Sequence, residues 1–133
     1  MATLLIIDDD SHIRDTIHDL FSSTHECHTA DRAEQALEYL GFETYDVVLT
    51  DLSMPGVGGI ELLRRMTKEH PTTPVIVISG QPDADKEVFL ELGAFDFLPK
   101  PFLLQDVEDA VMRAIDYRDD MKAGSVTRHG GVH

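Results

Sequence analysis

Apolar residues along this chain are concentrated in short runs, which are separated by longer segments with helical periodicity. Four runs are mainly apolar and are expected to be strands covered on both faces, as in a parallel sheet. A fifth segment is polar enough to be an edge strand. The predicted strands occupy residues 4–7, 25–29, 46–51, 75–79 and 95–98.

Between the strands, apolar residues recur every three or four positions, which places them on one face of a helix. Ser11 is expected to cap the first helix, and Asp31 with Glu34 resembles a capping box at the start of the second. The first predicted helix begins at Ser11, and the second runs from about Asp31 to Gly41. The third lies between Gly59 and Pro71, and the fourth and fifth cover about 83–92 and about 103–117.

Five strands that alternate with five helices predict an α/β domain with a doubly wound parallel sheet, because each parallel crossover must be long enough to hold a helix. This alternation is expected to form one domain over residues 1–118. Residues 119–133 show no periodicity and include many small residues. They are expected to form a flexible tail or the start of a linker.

The bulk composition narrows the range of partners and locations. The 133 residues suffice for one domain with a sizeable core. A net charge of −14 argues against direct binding to nucleic acid or anionic lipid, since both require clusters of Lys and Arg. No apolar run reaches membrane-spanning length, and Met1-Ala2-Thr3-Leu4 lacks the charged start of a signal peptide, so a cytoplasmic location is expected.

Polar side chains with distinct chemistry stand at the ends of four predicted strands. Because the carboxyl ends of neighbouring parallel strands share one rim, where such sheets bind ligands, these side chains are expected to converge. They are Asp8, Asp9 and Asp10 after the first strand, Asp51 at the end of the third, Ser79 at the end of the fourth and Lys100 after the fifth.

Asp8, Asp9 and Asp51 together predict a cation site at this rim. Two unit charges about 4 Å apart repel by roughly 4 kcal/mol at an effective dielectric of about 20, so three carboxylates beside one ammonium require further positive charge. Oxygen ligands with room for water suit Mg²⁺, with Mn²⁺ as the alternative ion. Taken alone, the three consecutive aspartates could equally be a solvated turn with a helix cap.

Asp51 is either a metal ligand only or the nucleophile that forms an acyl phosphate, since aspartate carboxylates can attack phosphoryl groups. Phosphoryl transfer depends mainly on positioning and charge neutralisation. Lys100 offers a mobile positive charge for one phosphoryl oxygen, and Ser79 offers a hydroxyl donor for another.

Four motifs at these strand ends resemble those of the receiver domain of two-component response regulators, in the family's order and spacing over about residues 3–118. The resemblance implies a flavodoxin-like (βα)5 fold with strand order 2-1-3-4-5. It also implies that Asp51 accepts a phosphoryl group from the phosphohistidine of a sensor histidine kinase or a phosphotransfer protein. The motifs are Ile7-Asp8-Asp9-Asp10, Thr50-Asp51-Leu52-Ser53-Met54-Pro55-Gly56, Ile78-Ser79-Gly80 and Leu98-Pro99-Lys100-Pro101-Phe102.

The resemblance assigns the metal ligands and the positions that set the lifetime of the acyl phosphate. Asp9 and Asp51 would hold Mg²⁺ directly, Asp8 would act through water, and the backbone carbonyl of Ser53 would complete the protein ligands. Ser53 and Gln81 stand at the two positions that tune dephosphorylation in the family. Neither is expected to position a water strongly, so the phosphorylated form is not expected to be extremely short-lived.

The resemblance also implies a switch. Ser79 and Lys100 would hold the phosphoryl oxygens, and the Lys100–Pro101 peptide bond would be cis. Ser79 and Phe97 would then change the face formed by helix 4, strand 5 and helix 5. Many family members have Tyr where this chain has Phe97, which lacks a hydroxyl and must act by packing alone. That face could form a homodimer or control an output domain downstream.

Two alternatives of different classes stay open. One is a pseudo-receiver that serves as a scaffold without phosphorylation, against which the complete set of rim residues argues. The other is an aspartate-based phosphatase of the haloacid dehalogenase type, in which Asp8 and Asp10 would be the catalytic pair. That alternative lacks a cap domain and leaves the Met-Pro-Gly turn after Asp51 unexplained.

The segment His25-Glu26-Cys27-His28 contains soft metal ligands in the weakest of the predicted strands. Successive side chains of a strand point to opposite faces, so His25 and Cys27 would point away from His28. A metal site made from these three residues is therefore not expected.

Overall fold

The computed structural model describes residues 1–52, 58–81 and 84–123, and within them five parallel strands alternate with five helices. The strands are β1 (Thr3–Ile7), β2 (Glu26–Ala30), β3 (Val47–Asp51), β4 (Val75–Ser79) and β5 (Asp96–Pro99). The helices are α1 (Ser11–Phe21), α2 (Ala33–Phe42), α3 (Gly59–Glu69), α4 (Lys86–Glu91) and α5 (Leu104–Ala123). The sheet order is β2-β1-β3-β4-β5, which confirms the predicted doubly wound, flavodoxin-like fold.

Alternate strand residues fill two hydrophobic layers, one on each face of the sheet. Leu5, Val48 and Val77 belong to the layer that also contains buried residues of α2, α3 and α4. Their chain neighbours, such as Ile6 and Leu49, belong to the layer covered by α1 and α5. Burying one such aliphatic side chain contributes about 1.5–3 kcal/mol. The strand ends are therefore held by a well-packed scaffold.

The parallel register brings the carboxyl ends of four strands to one rim. Asp8 directly follows β1, and Lys100 directly follows β5. The strand pairs nearest this rim are Ile7 with Thr50, Asp51 with Ile78, and Ser79 with Pro99. The predicted convergence of polar residues follows from this register.

Two helix starts differ from the sequence-based expectation. The predicted cap Ser11 is the first residue of α1, and Asp10 is the cap, because its carboxylate accepts the His12 N–H at 2.9 Å. Asp and Ser cap helices about equally well, so the sequence does not distinguish them. The predicted capping box of α2 is wrong: α2 has no side-chain cap, and the Asp31 N–H donates to Gln35 Oε1 at 3.1 Å.

The last two helices also differ in length from their predictions. α4 is shorter, whereas α5 continues through Ala123 instead of ending near residue 117. Arg118 on this extension is 6% exposed and donates to Thr72 Oγ1 at 2.6 Å. Residues 124–133 lie outside the described residues, and the domain boundary at 118 stays a prediction. In the described residues, every helix is too short or too polar to cross a lipid bilayer.

Candidate functional site

Three carboxylates meet at the rim where β1 and β3 end. One oxygen from each of Asp8, Asp9 and Asp51 lies within 4.8 Å of the others. Asp8 and Asp51 are 1% and 5% exposed, whereas Asp9 is open to solvent. Arg14, which the sequence analysis did not single out, donates from Nη1 to the Asp8 carbonyl at 2.9 Å and fixes the turn into α1.

Lys100 supplies the positive charge at this cluster. Its Nζ lies 3.0 Å from Asp8 Oδ2 and 3.3 Å from Asp51 Oδ1. The backbone N–H of Lys100 donates to the Ser79 carbonyl at 2.7 Å, which anchors the end of β5 to the end of β4. The Lys100–Pro101 peptide bond is cis.

The charges at the rim do not balance. Burial raises the pKa of Asp8, although the Asp10 N–H and Lys100 partly offset it. Burial also raises the pKa of Asp51, and the neighbouring Asp8 charge raises it further. Burial alone would lower the pKa of Lys100, but Asp8 and Asp51 outweigh burial and raise it. One shared ammonium therefore leaves the cluster with excess negative charge.

This donor set fits a hard divalent cation. All three side chains offer oxygen, and the exposed side of Asp9 leaves room for water, which Mg²⁺ usually retains in proteins. A bound dication would also relieve the repulsion between the buried carboxylates. Asp8, Asp9 and Asp51 are thus the described residues that could hold Mg²⁺. Ser53, the fourth predicted ligand, lies outside the described residues, as do Met54, Pro55 and Gly56, which were predicted to form a turn.

Ser79 lies at the end of β4, on the same rim. It is 2% exposed, and its Oγ accepts the Gln81 N–H at 3.0 Å. Its hydroxyl hydrogen can still be donated, since a serine hydroxyl is both donor and acceptor. Gln81 itself is exposed beside the shallow depression between α3 and α4.

Phe97 faces α4 and not the rim. Its ring is 7% exposed and stacks on Phe89 of α4 with a centroid distance of 5.6 Å and an interplanar angle of 13°. The preceding residue, Asp96, accepts from Arg113 Nη2 at 2.7 Å and lies 3.5 Å from Lys86 Nζ. β5 is thus joined to α4 by stacked rings and to both α4 and α5 by ion pairs.

Gly59 contributes to the site in a way that the sequence analysis missed. A Cβ atom at Gly59 would lie 2.6 Å from the Asp51 carbonyl oxygen and 2.8 Å from Leu52 Cα. The Gly59 N–H donates to the Leu52 carbonyl at 3.0 Å. α3 therefore packs directly on the backbone that carries Asp51. A Cβ at the adjacent Gly58 would meet no atom of the described residues within 4 Å, a difference that the pair Gly58-Gly59 does not reveal in sequence.

Comparison with known proteins agrees with this geometry. The family model for the response regulator receiver domain matches residues 4–112. The DNA-binding transcriptional regulator NtrC of Escherichia coli K12 is 36% identical over 128 residues, which cover 94% of this chain and 27% of NtrC. The transcriptional regulatory protein FixJ of Bradyrhizobium diazoefficiens is 36% identical over 117 residues, 84% of this chain and 57% of FixJ. The chain thus spans about a quarter of the length of NtrC.

Solved structures give the same result. A response regulator receiver domain protein from Clostridium thermocellum superimposes with a TM-score of 0.84 at 33% identity, over 91% of this chain and 99% of that one. NtrX from Brucella abortus gives a TM-score of 0.85 at 31% identity, over 93% of this chain and 29% of NtrX. With the matching strand order and the family model over most of its length, this chain belongs to the response regulator receiver domain family.

Proposed function

We propose that this chain is a phosphorylation-controlled switch in which Asp51 accepts a phosphoryl group from the phosphohistidine of a sensor histidine kinase or a phosphotransfer protein. The observation that carries the proposal is the buried Asp51 carboxylate, which lies beside Asp8 and Asp9 and 3.3 Å from Lys100 Nζ. Phosphoryl transfer requires such positioning and charge neutralisation more than proton chemistry.

In the proposed transfer, one carboxylate oxygen of Asp51 attacks the phosphorus atom while the phosphorus–nitrogen bond of the donor breaks. The leaving imidazole keeps the bonding electron pair and takes a proton from solvent. Dephosphorylation is a separate step, in which water attacks the phosphorus atom, the phosphorus–oxygen bond to Asp51 breaks, the Asp51 carboxylate is restored, and inorganic phosphate leaves with the oxygen of the water while a water proton passes to solvent. The chain would promote both steps on itself and turn over no separate substrate.

The rim residues have distinct proposed roles in this step. Lys100 would present its ammonium to one phosphoryl oxygen, and Ser79 would donate its hydroxyl to another. Mg²⁺ or Mn²⁺, held by Asp9 and Asp51, with Asp8 acting through water and the Ser53 carbonyl as a further ligand, would neutralise charge on the phosphoryl group.

The switch is proposed to act through the face made by α4, β5 and α5. Contact of Ser79 with the phosphoryl group would draw the segment after β4 towards Asp51 and bias a pre-existing equilibrium. Phe97, stacked on Phe89, would transmit this change to α4 by packing alone. The face could then pair with a second copy or with an output domain. NtrC and FixJ are named as transcriptional regulators and are longer than this chain, so an output that controls transcription fits.

The test is the intact mass of the full chain after incubation with Mg²⁺ and acetyl phosphate. Wild type and Asp106→Asn, which changes an exposed acid on α5, should each gain one phosphoryl group. Asp51→Asn should gain none, and a chelator should abolish the gain in wild type and in Asp106→Asn. The lifetime of the adduct is a second expectation. Because Ser53 and Gln81 are proposed not to position a water strongly, the adduct should not be extremely short-lived, and its decay within a few seconds would contradict this role.

The remaining outcomes separate the alternatives. If wild type forms no adduct and binds no beryllofluoride by NMR titration, the proposal fails and a scaffold is favoured. Donor turnover that survives Asp51→Asn and is lost in Asp8→Asn would instead indicate the aspartate phosphatase. The structure argues against that enzyme, because the Asp10 carboxylate is occupied as the cap of α1, where it accepts the His12 N–H.

A further inference from the structure

Arg14 of α1 contacts the backbone of the acidic turn that follows β1. Its side chain is half-buried, and its Nη1 donates to the Asp8 carbonyl at 2.9 Å. This carbonyl belongs to the peptide group that joins Asp8 to Asp9, and a peptide group is planar. The direction of the carbonyl therefore sets the direction in which the chain enters Asp9.

The hydrogen bond from Arg14 completes the fixation of Asp8. The Asp8 N–H donates to the Ala30 carbonyl of β2 at 3.1 Å. Of the two carboxylate oxygens, Oδ1 accepts the Asp10 N–H at 2.9 Å, and Oδ2 lies 3.0 Å from Lys100 Nζ. Arg14 binds the remaining polar group, the carbonyl. With every polar group bonded, Asp8 is a rigid support for the rest of the turn.

Asp9 depends on this support, because its own side chain is exposed. Among the residues that the structure describes, its carboxylate has no hydrogen bond or ion pair. One of its oxygens nevertheless lies within 4.8 Å of oxygens from Asp8 and Asp51. Like charges at such distances repel, which favours movement of the exposed carboxylate away from the other two when no cation is bound. The backbone must therefore set the position of Asp9.

We propose that Arg14 is a positioning residue for the magnesium site: it holds the peptide between Asp8 and Asp9 so that Asp9 faces Asp51 before the ion binds. The inference rests on the proposed function, of which the magnesium site is a part. Partners that orient a metal ligand commonly set the affinity for the metal.

The hydrogen bond and the charge of Arg14 act on this site with opposite signs. The hydrogen bond favours Mg²⁺ binding, because it holds the ligands in place. The guanidinium charge disfavours Mg²⁺ binding, because two positive charges near one cluster repel each other. Removal of the side chain should therefore weaken binding if positioning dominates, and strengthen binding if charge dominates.

The experiment is an Mg²⁺ titration of the full chain, followed by the backbone amide shifts of the rim residues in NMR spectra. Arg14→Lys keeps the charge and one donor group, whereas Arg14→Met keeps only the unbranched stem. Affinity should fall in the order wild type, Arg14→Lys, Arg14→Met, with Arg14→Met weaker than wild type by about tenfold or more. Arg64→Met removes the same charge from the exposed face of α3 and should bind as wild type does.

The rate of phosphorylation by acetyl phosphate gives a second measurement. Arg14→Met should need about tenfold more Mg²⁺ for its half-maximal rate, because the ion itself must then order Asp9. At saturating Mg²⁺ its rate should approach that of wild type. A lower maximal rate with an unchanged Mg²⁺ dependence would overturn the proposal, since Arg14 would then act on the transfer step.

The outcomes distinguish this inference from the proposed function. Equal or tighter Mg²⁺ binding by Arg14→Met would overturn the inference alone. Absence of Mg²⁺ binding by wild type would contradict the proposed magnesium site and the inference with it. If wild type binds Mg²⁺, Arg14→Met binds it more weakly, and Asp51 accepts no phosphoryl group, the inference is supported while the proposed transfer fails.

Discussion

At the scale of single residues, the proposed phosphoacceptor rim, formed by Asp8, Asp9, Asp51, Ser79 and Lys100, depends on one close backbone contact as much as on its charges. Gly59 lets α3 approach the carbonyl groups of Asp51 and Leu52 more closely than any side chain would permit. Asp51, in turn, is placed beside Asp8 at an electrostatic cost. Each feature predicts a measurable effect of one substitution.

The close packing of α3 predicts that Gly59→Ala damages the rim. The new methyl group must displace the end of β3 or the start of α3, which should cost about 1–3 kcal/mol of unfolding free energy. A misplaced Asp51 should also slow phosphorylation by acetyl phosphate by up to about 100-fold. Urea unfolding and the rate of mass gain provide the two measurements.

Gly58→Ala is the matched control, because a Cβ there meets no atom within 4 Å in the part of the chain that the structure describes. It should cost less than about 1 kcal/mol and leave the phosphorylation rate nearly unchanged. Equal effects of the two substitutions would show that α3 does not position Asp51.

The charge imbalance at the rim predicts that Asp51→Asn stabilises the fold while it abolishes phosphorylation. The raised pKa of Asp51 means that folding disfavours its ionised form, and a neutral amide of the same shape removes that cost. Without Mg²⁺ at neutral pH, the unfolding free energy should rise by on the order of 1 kcal/mol.

Urea unfolding of wild type, Asp51→Asn and the control Asp106→Asn would measure this effect. Saturating Mg²⁺ should reduce or reverse the difference, because the proposed magnesium site loses one carboxylate ligand in the variant and should stabilise its folded state less. If Asp51→Asn is less stable than wild type without Mg²⁺, the inferred repulsion between Asp8 and Asp51 is wrong.

At the scale of elements, Asp96 holds α4, β5 and α5 together on the opposite side of β5 from Phe97. Burial by itself raises the pKa of Asp96, but the hydrogen bond from Arg113, the Phe97 N–H and the charge of Lys86 outweigh burial and leave the pKa below its usual value. A movement of α4 in the proposed switch must therefore either break the ion pair between Lys86 and Asp96 or carry both residues along.

The depressed pKa of Asp96 predicts an acid-dependent loss of stability. A carboxylate with a lower pKa in the folded state stabilises fully above its unfolded pKa of about 4, and loses that contribution as the pH falls through the folded value. Asp96→Asn should lower the unfolding free energy by about 1–3 kcal/mol at neutral pH. Its deficit should shrink as the pH falls below about 4.

Denaturant unfolding at several pH values would measure this dependence, with Asp109→Asn on the exposed side of α5 as the control. A deficit that stays constant down to the lowest pH would contradict the ion-pair explanation. It would indicate that Asp96 acts only through neutral hydrogen bonds.

The order of the elements could be predicted from sequence because aliphatic runs mark four of the five strands and Gly or Pro breaks separate the elements, while the polar edge strand β2 was the weakest prediction. The helix ends could not, since several polar residues near each end compete for the same cap. Asp10 and Ser11 are adjacent and chemically equivalent as caps, and only the path of the chain selects Asp10. The extra length of α5 depends on the contact of Arg118 with Thr72, 46 positions earlier, which no local pattern contains.

At the scale of the whole molecule, Arg118 ties the late part of α5 to the base of the sheet. Its guanidinium donates to Thr72 Oγ1 at 2.6 Å and lies 3.5 Å from Asp46 Oδ1. The other oxygen of Asp46 accepts the N–H of Thr3 at the start of β1, at 2.8 Å. Three distant parts of the chain therefore meet at one buried side chain.

This junction predicts that Arg118→Ala destabilises the molecule and loosens the end of α5. Loss of hydrogen bonds to a charged group should cost about 2–3 kcal/mol. Amide hydrogen exchange should accelerate at residues 119–123 more than at the proposed phosphoacceptor rim. Arg64→Ala, on the exposed face of α3, should change neither quantity, and equal exchange in both variants would contradict the role of Arg118.

The rim could be predicted at the level of the whole molecule because four strand ends share one edge of a parallel sheet. Asp8, Asp51, Ser79 and Lys100 each end or directly follow an apolar run, so topology alone brings them together. Gly59 could not be predicted as part of the site, because its importance lies in a backbone approach that depends on the angle of α3. The contacts of His28 with Tyr45 and Glu43 also required the structure, since both partners come from another part of the chain.

The sheet order has a consequence for self-association. β2 and β5 are the edges of the sheet, where unpaired backbone groups would ordinarily invite a strand from another copy. β5 carries the inward-pointing charge of Asp96 and ends at Pro99, which has no N–H to donate. β2 begins with Glu26 in a chain whose net charge is −14. Both edges thus disfavour the addition of a strand from another copy, and with it the open-ended growth of the sheet into aggregates.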